Sequence, residues 1–298
     1  TSMGNILTKQ FYRQRKDFED SCAGRDAGLT FPEGVRCSTD IAYADDGIKA
    51  HMLDIYRPED SQEKILHVII NVHGGGLIIG NKEFNRYFCA LLCKKGFLVY
   101  SIEYRLIPDC LIYDQIADVF MAMDYIKERL AADGGDSSHV YMAGDSGGAC
   151  LITYANAIQN STNIARAANV TPSGLRINAL GLISGMFYTS RFDKIGLFLP
   201  KYLYGRDYKK TSFAKYVNPE NRELLNSLAP VWLVTSHNDF LRRYTTDFEK
   251  ALTRAEREHE LVVFPKNKKL THAFSVFEPF LPESSAVIDM MVEYFRKF

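Results

Sequence analysis

From Ile65 onward the chain alternates between short, continuous apolar runs and longer segments with helical spacing. Ile65–Val72, Phe97–Ile102, Val140–Ala143, Ala179–Ser184, Val231–Ser236 and Leu261–Phe264 are runs of the first kind. A strand buried on both faces in a parallel sheet carries apolar side chains on both sides, so it reads as a run rather than an alternation. Between them, Asn85–Lys95, Tyr113–Leu130, the stretch after Ser146, Leu241–Glu258 and Ser284–Phe298 have the spacing of amphipathic helices. Strands alternating with helices predict a doubly wound, mostly parallel sheet. An antiparallel start is predicted from two strand-like stretches, Ser38–Ala44 and His51–Tyr56, joined by the turn Asp45-Asp46-Gly47. Ahead of them Gln10–Phe18 reads as a charged amphipathic helix, and Gly24, Gly28, Pro32 and Gly34 mark irregular chain. Pro58–Glu63 reads as a polar loop.

The rhythm breaks between Gly185 and Asn226. That stretch is long, aromatic and helical only in pieces, and an insertion of this kind between core strands serves as a cap or lid. The chain is expected to be one domain over residues 1–298, capped by about residues 1–40 and by 185–226. Size and charge fit this picture. The 298 residues are 46% hydrophobic, with 36 basic and 36 acidic side chains. A neutral chain without a basic tract argues against a nucleic-acid partner. No apolar run reaches membrane-spanning length, so no stable membrane insertion is expected. Six cysteines without C-x-x-C pairs, and no secretion signal, favour reduced buried thiols and a cytoplasmic location. No metal and no cofactor is expected, and a homodimer is left open.

The chemistry concentrates at Gly144-Asp145-Ser146-Gly147-Gly148, between the Val140–Ala143 run and a helix. Ser146 is the only serine with glycine at both −2 and +2. A serine on a sharp strand-to-helix turn projects its hydroxyl from the sheet edge, and the flanking glycines fit where a Cβ would clash. The helix N-terminus favours the negative charge of an activated hydroxyl. Acyl transfer by serine also needs a base, an orienting acid and an oxyanion hole. His73-Gly74-Gly75-Gly76 follows a strand end and leaves backbone N–H groups open to a substrate oxygen. His73 itself reads as structural. Of seven histidines, His272 lies in a loop after the last strand and is the expected base, with His237 as competitor. Asp239 follows the Val231–Ser236 strand and is the expected acid, whereas Asp247 lies within a helix and reads as a solvated face residue. Asp145 and the Glu103-Tyr104-Arg105 loop are expected to brace the elbow and the glycine loop.

These residues together resemble an α/β-hydrolase of the hormone-sensitive-lipase-like esterase group. The resemblance rests on His73–Gly76, Tyr104-Arg105-Leu106-Ile107-Pro108-Asp109, Gly144–Gly148, the Asp239 loop and His272. The order Ser146, Asp239, His272 is that of the family. The resemblance implies that Gly75, Gly76 and Gly147 donate the oxyanion-hole N–H groups, under a cap built from the N-terminal segment and the insertion. The chain departs from the family at Leu77, Gly147, Phe240 and Ala273, where an aromatic residue, alanine, proline and glycine are usual, and Ser236-His237-Asn238 intervenes before the acid. The expected activity is hydrolysis of short-acyl carboxylic esters, small molecules, through an acyl-serine intermediate. The acyl pocket is expected to draw on Leu77, Met186, Phe187, Tyr188 and Phe198. Rival readings are an amidase or peptidase, a deacetylase of acylated sugars or aryl esters, and a non-catalytic binding module on the same fold.

Overall fold

The apolar runs become the centre of a single eight-stranded sheet. In the computed structural model, which describes residues 2–61 and 63–298, the strands are β1 (Val35–Ala42), β2 (Met52–Pro58), β3 (Leu66–Val72), β4 (Phe97–Ile102), β5 (Gly135–Asp145), β6 (Ala179–Ile183), β7 (Val231–Ser236) and β8 (His259–Phe264). They lie in the order β1-β2-β4-β3-β5-β6-β7-β8. β1 and β2 pair antiparallel, β2 joins β4 antiparallel, and every pair from β4 to β8 is parallel. Thr1, at the start of the expected cap, and Gln62, in the expected Pro58–Glu63 loop, lie outside the described residues.

Eleven helices are described: α1 (Ser2–Asp26), α2 (Arg86–Cys93), α3 (Ile112–Arg129), α4 (Gly147–Asn160), α5 (Thr162–Ala168), α6 (Lys194–Phe198), α7 (Pro200–Tyr204), α8 (Arg222–Asn226), α9 (Arg242–Arg254), α10 (Phe274–Phe277) and α11 (Pro282–Phe295). They cover both faces, which is why the strand runs are continuously apolar. Val68, Ile70 and Val72 of β3 pack with α3 and α4 residues such as Phe120, Met123 and Leu151. Ile69, one step along, packs on the other face with Phe88, Trp232 and Phe295. The period-2 alternation of a strand thus feeds two cores. Each fully buried Val, Leu, Ile or Phe contributes about 1.5–3 kcal/mol.

Local boundaries differ from the sequence reading for identifiable reasons. α1 is a 25-residue helix that runs through Gly24. Arg25 overrides the glycine there: it donates to the carbonyls of Phe84 (2.7 Å) and Val276 (3.1 Å) and lies 3.7 Å over the Phe84 ring. α2 is preceded by a 3₁₀ turn at Lys82–Asn85, capped by Asn81, whose side chain accepts from Phe84 N–H. β5 starts at Gly135, because a register shift against β3 absorbs the polar Asp136-Ser137-Ser138. In the insertion, Tyr202 meets Phe11 of α1 edge-on at 5.2 Å, whereas the aromatic residues after it pack sideways. Tyr204 and Phe213 join Tyr113 of α3 and Tyr154 of α4 in an aromatic cluster.

A buried ion network fixes the loop after β4. Asp118 on α3 is fully buried, accepts from Arg105 Nη2 (2.8 Å), Arg105 N–H (3.0 Å) and lies 2.8 Å from His51 Nε2. Removing one partner of such a network strands the other charges. Asp118→Ala is expected to destabilise the fold by about 3–5 kcal/mol. Urea unfolding followed by circular dichroism measures it, and a change below about 1 kcal/mol contradicts the network's role.

Candidate active site

β5 ends in the elbow. Ser146 has φ 51° and ψ −116°, a left-handed conformation that costs a non-glycine residue about 1–3 kcal/mol. Three backbone hydrogen bonds hold it. Ser146 N–H donates to Ile183 (2.9 Å), and its carbonyl accepts from Met186 (3.0 Å) and Cys150 (3.3 Å). The elbow glycines face backbone: a Cβ at Gly144 would come 2.6 Å from the Val72 carbonyl, and one at Gly148 2.1 Å from it. The crowding that demands glycine therefore comes chiefly from the neighbouring strand β3, more than from the two glycines meeting each other.

The chain leaving β3 forms the glycine loop beside the elbow. Gly75 and Gly76 have φ of 117° and 62°. Among the described residues neither N–H has a hydrogen-bond partner. Gly147, at the start of α4, abuts the loop, since its Cβ position lies 2.8 Å from Leu77 N. The bracing expected of Asp145 and of the Glu103-Tyr104-Arg105 loop is present. Buried Asp145 accepts from Gly74 N–H (3.1 Å) and from Asn85 (3.0 Å). Burial raises its pKa, and these donors with the nearby His73 oppose the rise. Tyr104 OH donates to the His73 carbonyl (2.6 Å), and its ring stacks on the His73 imidazole at 4.3 Å. His73 is buried, with Nε2 2.8 Å from Glu103 Oε1. Burial lowers the pKa of its ring, but Glu103, the Gly74 carbonyl and Asp145 together outweigh this, and the net shift is upward. It does not line the cavity described below, in keeping with a structural part.

Asp239 and His272 are brought together. Their Oδ1 and Nδ1 atoms lie 2.8 Å apart, with Asp239 buried and the His272 side chain 16% exposed. Asp239 also accepts from Thr235 Oγ1 (2.8 Å) and Leu241 N–H (2.9 Å). Burial pushes this carboxyl up, but His272, the Ser184 hydroxyl and Leu241 outweigh it and hold the pKa below the ordinary aspartate value. The competitor His237 is exposed and sits 2.7 Å from Arg242 Nη1, away from the cavity. Asp247 is half-buried and paired with Arg191 at 2.8 Å, so it is an ion-pair partner rather than a freely solvated side chain.

Ser146, His272 and Gly74–Gly76 open on one cavity of about 780 Å³. Leu7, Phe11 and Phe18 of α1 roof it, with Ile195 and Phe198 of α6 and Leu199 after it, and Ile78, Ile79, Phe240 and Phe277 complete its apolar walls. Of the expected pocket residues, Met186 and Phe198 line it. The other three do not, and the reasons are local. Leu77 is fully buried, its carbonyl accepting from Ile107 N–H (2.9 Å) and Gln115 (3.0 Å). Phe187 stacks on Phe248 of α9 at 4.3 Å. Tyr188 lies under Arg191 and donates to Glu220 (2.8 Å). The roof residues of α1 escaped the sequence reading, although Leu7, Phe11 and Phe18 recur at helical spacing in an otherwise polar segment. Among the described residues, the group with metal-ligand character is His67, Asp136 and His139, at the far end of the sheet. Its two imidazoles stack at 4.0 Å with planes 1° apart, so their in-plane lone pairs lie in separate parallel planes and do not meet at one point.

A sheet of this topology, with a glycine loop after β3, a strained serine after β5, an acid after β7 and a histidine after β8, defines an α/β-hydrolase. The chain belongs to the alpha/beta hydrolase fold family, whose model matches residues 69–275. A protein of Oryza sativa subsp. japonica named as a probable isoprenylcysteine alpha-carbonyl methylesterase is 29% identical over 184 residues, 58% of this chain and 44% of that protein. The chain spans less than half the length of the first curated relatives it matches. Esterase B from Lactobacillus rhamnosis superposes with a TM-score of 0.93 at 22% identity, covering 100% of this chain and 96% of that one. A structure of that esterase with a tributyrin phosphonate gives a TM-score of 0.91 at 22% identity, covering 98% and 95%.

The glycine geometry yields a contrast that can be measured. Gly148→Ala places a methyl against the Val72 and His73 carbonyls and is expected to destabilise by about 3 kcal/mol. Gly24→Ala, with open space around its Cβ in α1, is expected to stabilise by about 0.5–1 kcal/mol. Denaturant midpoints of the two variants check the pair, and equal midpoints contradict it.

Proposed function

We propose that this protein is a serine carboxylic ester hydrolase with Ser146 as nucleophile, His272 as general base and acid, and Asp239 as the group that orients and stabilises the imidazolium. The observation that carries this reading is the hydrogen-bonded Asp239–His272 pair facing the same cavity as the strained Ser146, beside two unpartnered glycine N–H groups. Ser146 Oγ attacks the ester carbonyl carbon while His272 Nε2 takes the hydroxyl proton. The carbonyl π electrons move to oxygen, and Gly75, Gly76 and Gly147 N–H groups hold the resulting oxyanion. Collapse breaks the bond to the alcohol, which leaves with the proton from His272. Water, activated by the same histidine, then attacks the acyl-serine and releases the acid. No step calls on a metal or cofactor. The Asp239 carboxylate stays ionised in the folded protein well below neutral pH, as this role requires. α1 and α6 act as the cap. Burial pushes the Cys150 thiol up to about 12, which fits an inert reduced side chain. No helix among the described residues is long and apolar enough to cross a membrane.

Ser146→Ala is expected to leave the fold intact and lower ester turnover by several orders of magnitude, and Asp239→Asn to cost far more than Asp247→Asn. Steady-state assays beside melting curves test this. Turnover near wild type in Ser146→Ala, or equal losses at Asp239 and Asp247, overturns the assignment. Rates on matched ester and amide substrates separate the reading from an amidase.

The cavity also limits the acyl group. Each buried CH₂ contributes about 0.8 kcal/mol until the space is full, after which overpacking costs roughly 1–3 kcal/mol. kcat/KM across nitrophenyl esters from acetate to palmitate is expected to peak at short chains. Phe11→Ala or Phe198→Ala, which enlarge the roof, should move the peak to longer chains. Phe187→Ala, whose ring lies against Phe248, should leave it in place. A wild-type optimum at palmitate, unmoved by either roof truncation, contradicts this account.

A further inference from the structure

The roof helix reaches the glycine loop through one side chain. Arg15 of α1 donates from Nε to the Ile78 carbonyl (2.8 Å), from Nη2 to the Ile107 carbonyl (2.6 Å) and from Nη1 to Asp109 (3.0 Å). Tyr12, one turn earlier, donates to the same Asp109 at 2.5 Å, and its ring lies 4.8 Å from the guanidinium. The Arg15 side chain is 18% exposed.

The significance lies in where the loop's backbone groups go. The His73 carbonyl accepts from Tyr104, and Gly75 accepts from Ile78 and Ile79 N–H (3.1 and 3.0 Å). Leu77 accepts from Ile107 and Gln115. Each of these ties comes from the loop itself or from the body of the domain. Among the described residues, the tie on Ile78 is the one that comes from the roof. A guanidinium is planar and permanently charged, so one fork fixes the Ile78 and Ile107 carbonyls relative to each other. The same helix supplies Leu7, Phe11 and Phe18 to the cavity. An ester that fills the cavity therefore presses on the element that steadies the Gly75 and Gly76 N–H pair.

We infer that Arg15 is a positioning residue that couples occupancy of the apolar roof to the geometry of the oxyanion donors. Esters long enough to touch the roof then gain in kcat as well as in KM, because remote binding energy is realised in the transition state. The inference rests on the hydrolase reading above. It is tested on the full chain with nitrophenyl acetate and hexanoate, comparing wild type with Arg15→Ala, Arg15→Lys and the exposed neighbour Arg13→Ala. A donor displaced by 1 Å can cost on the order of 100-fold, so Arg15→Ala should lose about 10- to 100-fold in kcat on hexanoate, with a smaller loss on acetate. KM should change little by comparison, and millimolar guanidinium should restore part of the rate. Arg15→Lys keeps the charge beside Asp109 but lacks the fork, so it should stay impaired, while Arg13→Ala behaves as wild type. Wild-type kcat in Arg15→Ala overturns the inference. So does an equal loss on both esters that tracks a fall in melting temperature and resists guanidinium. An inactive Ser146→Ala beside a fully active Arg15→Ala defeats the coupling alone, whereas an active Ser146→Ala defeats the hydrolase reading itself.

Discussion

The site depends on how closely the chain leaving β3 passes the chain leaving β5. The two strands are parallel neighbours in register, Val72 opposite Gly144, so both turns emerge at one level of the sheet edge. Backbone then meets backbone with no room for side chains: a Cβ at Gly74 would lie 2.6 Å from the Asp145 carbonyl oxygen, and one at Gly148 2.1 Å from the Val72 carbonyl. Asp145 turns this closeness into a bond by accepting the Gly74 N–H from within the elbow. Asn85 supplies a second donor to it and is linked in turn to Asn71 of β3 (3.1 Å). The placement of Ser146 relative to the Gly75 and Gly76 N–H groups is thus set by the pairing of β3 with β5.

The rest of the sheet edge continues the same logic. Ser146 N–H is held by Ile183 at the end of β6, Ser184 N–H by Val234 of β7, and His237 N–H by Phe264 of β8. The Ser184 hydroxyl accepts from Ala273 N–H (3.0 Å), tying the histidine loop back to β6. Ser146, Ser184 and Ala273 all carry positive φ near 50°. Strain of this kind persists only where surrounding bonds over-determine it, and here a row of inter-strand hydrogen bonds does so.

Much of this was legible in the sequence because it is written in local chemistry. Continuous apolar runs marked the parallel strands, and glycine spacing marked the elbow and the loop. Strand ends located Asp239 and His272. What stayed hidden depends on contacts distant in sequence. Phe187 and Tyr188 look like cap residues by composition, yet they begin the insertion, where Phe248 and Tyr244 of α9 offer partners before any roof is reached. Tyr204 and Phe213, later in the insertion, turn toward Tyr113 of α3 and Tyr154 of α4 for the same reason. The sequence confines the N-terminal helix to Gln10–Phe18, because Gly24, Gly28, Pro32 and Gly34 mark irregular chain after it. Arg25 and Arg15 anchor it from outside, and a single sequence carries no sign of their carbonyl partners.

The account's central claim is that Ser146 is the one activated hydroxyl, made reactive by the geometry around it. A fluorophosphonate probe followed by peptide mass spectrometry tests that most directly. The account predicts one phosphonyl group per chain, on the peptide carrying Ser146, with ester turnover lost in proportion to labelling and no labelling of the unfolded protein. Labelling at another residue, or full turnover by a chain labelled at Ser146, would contradict it.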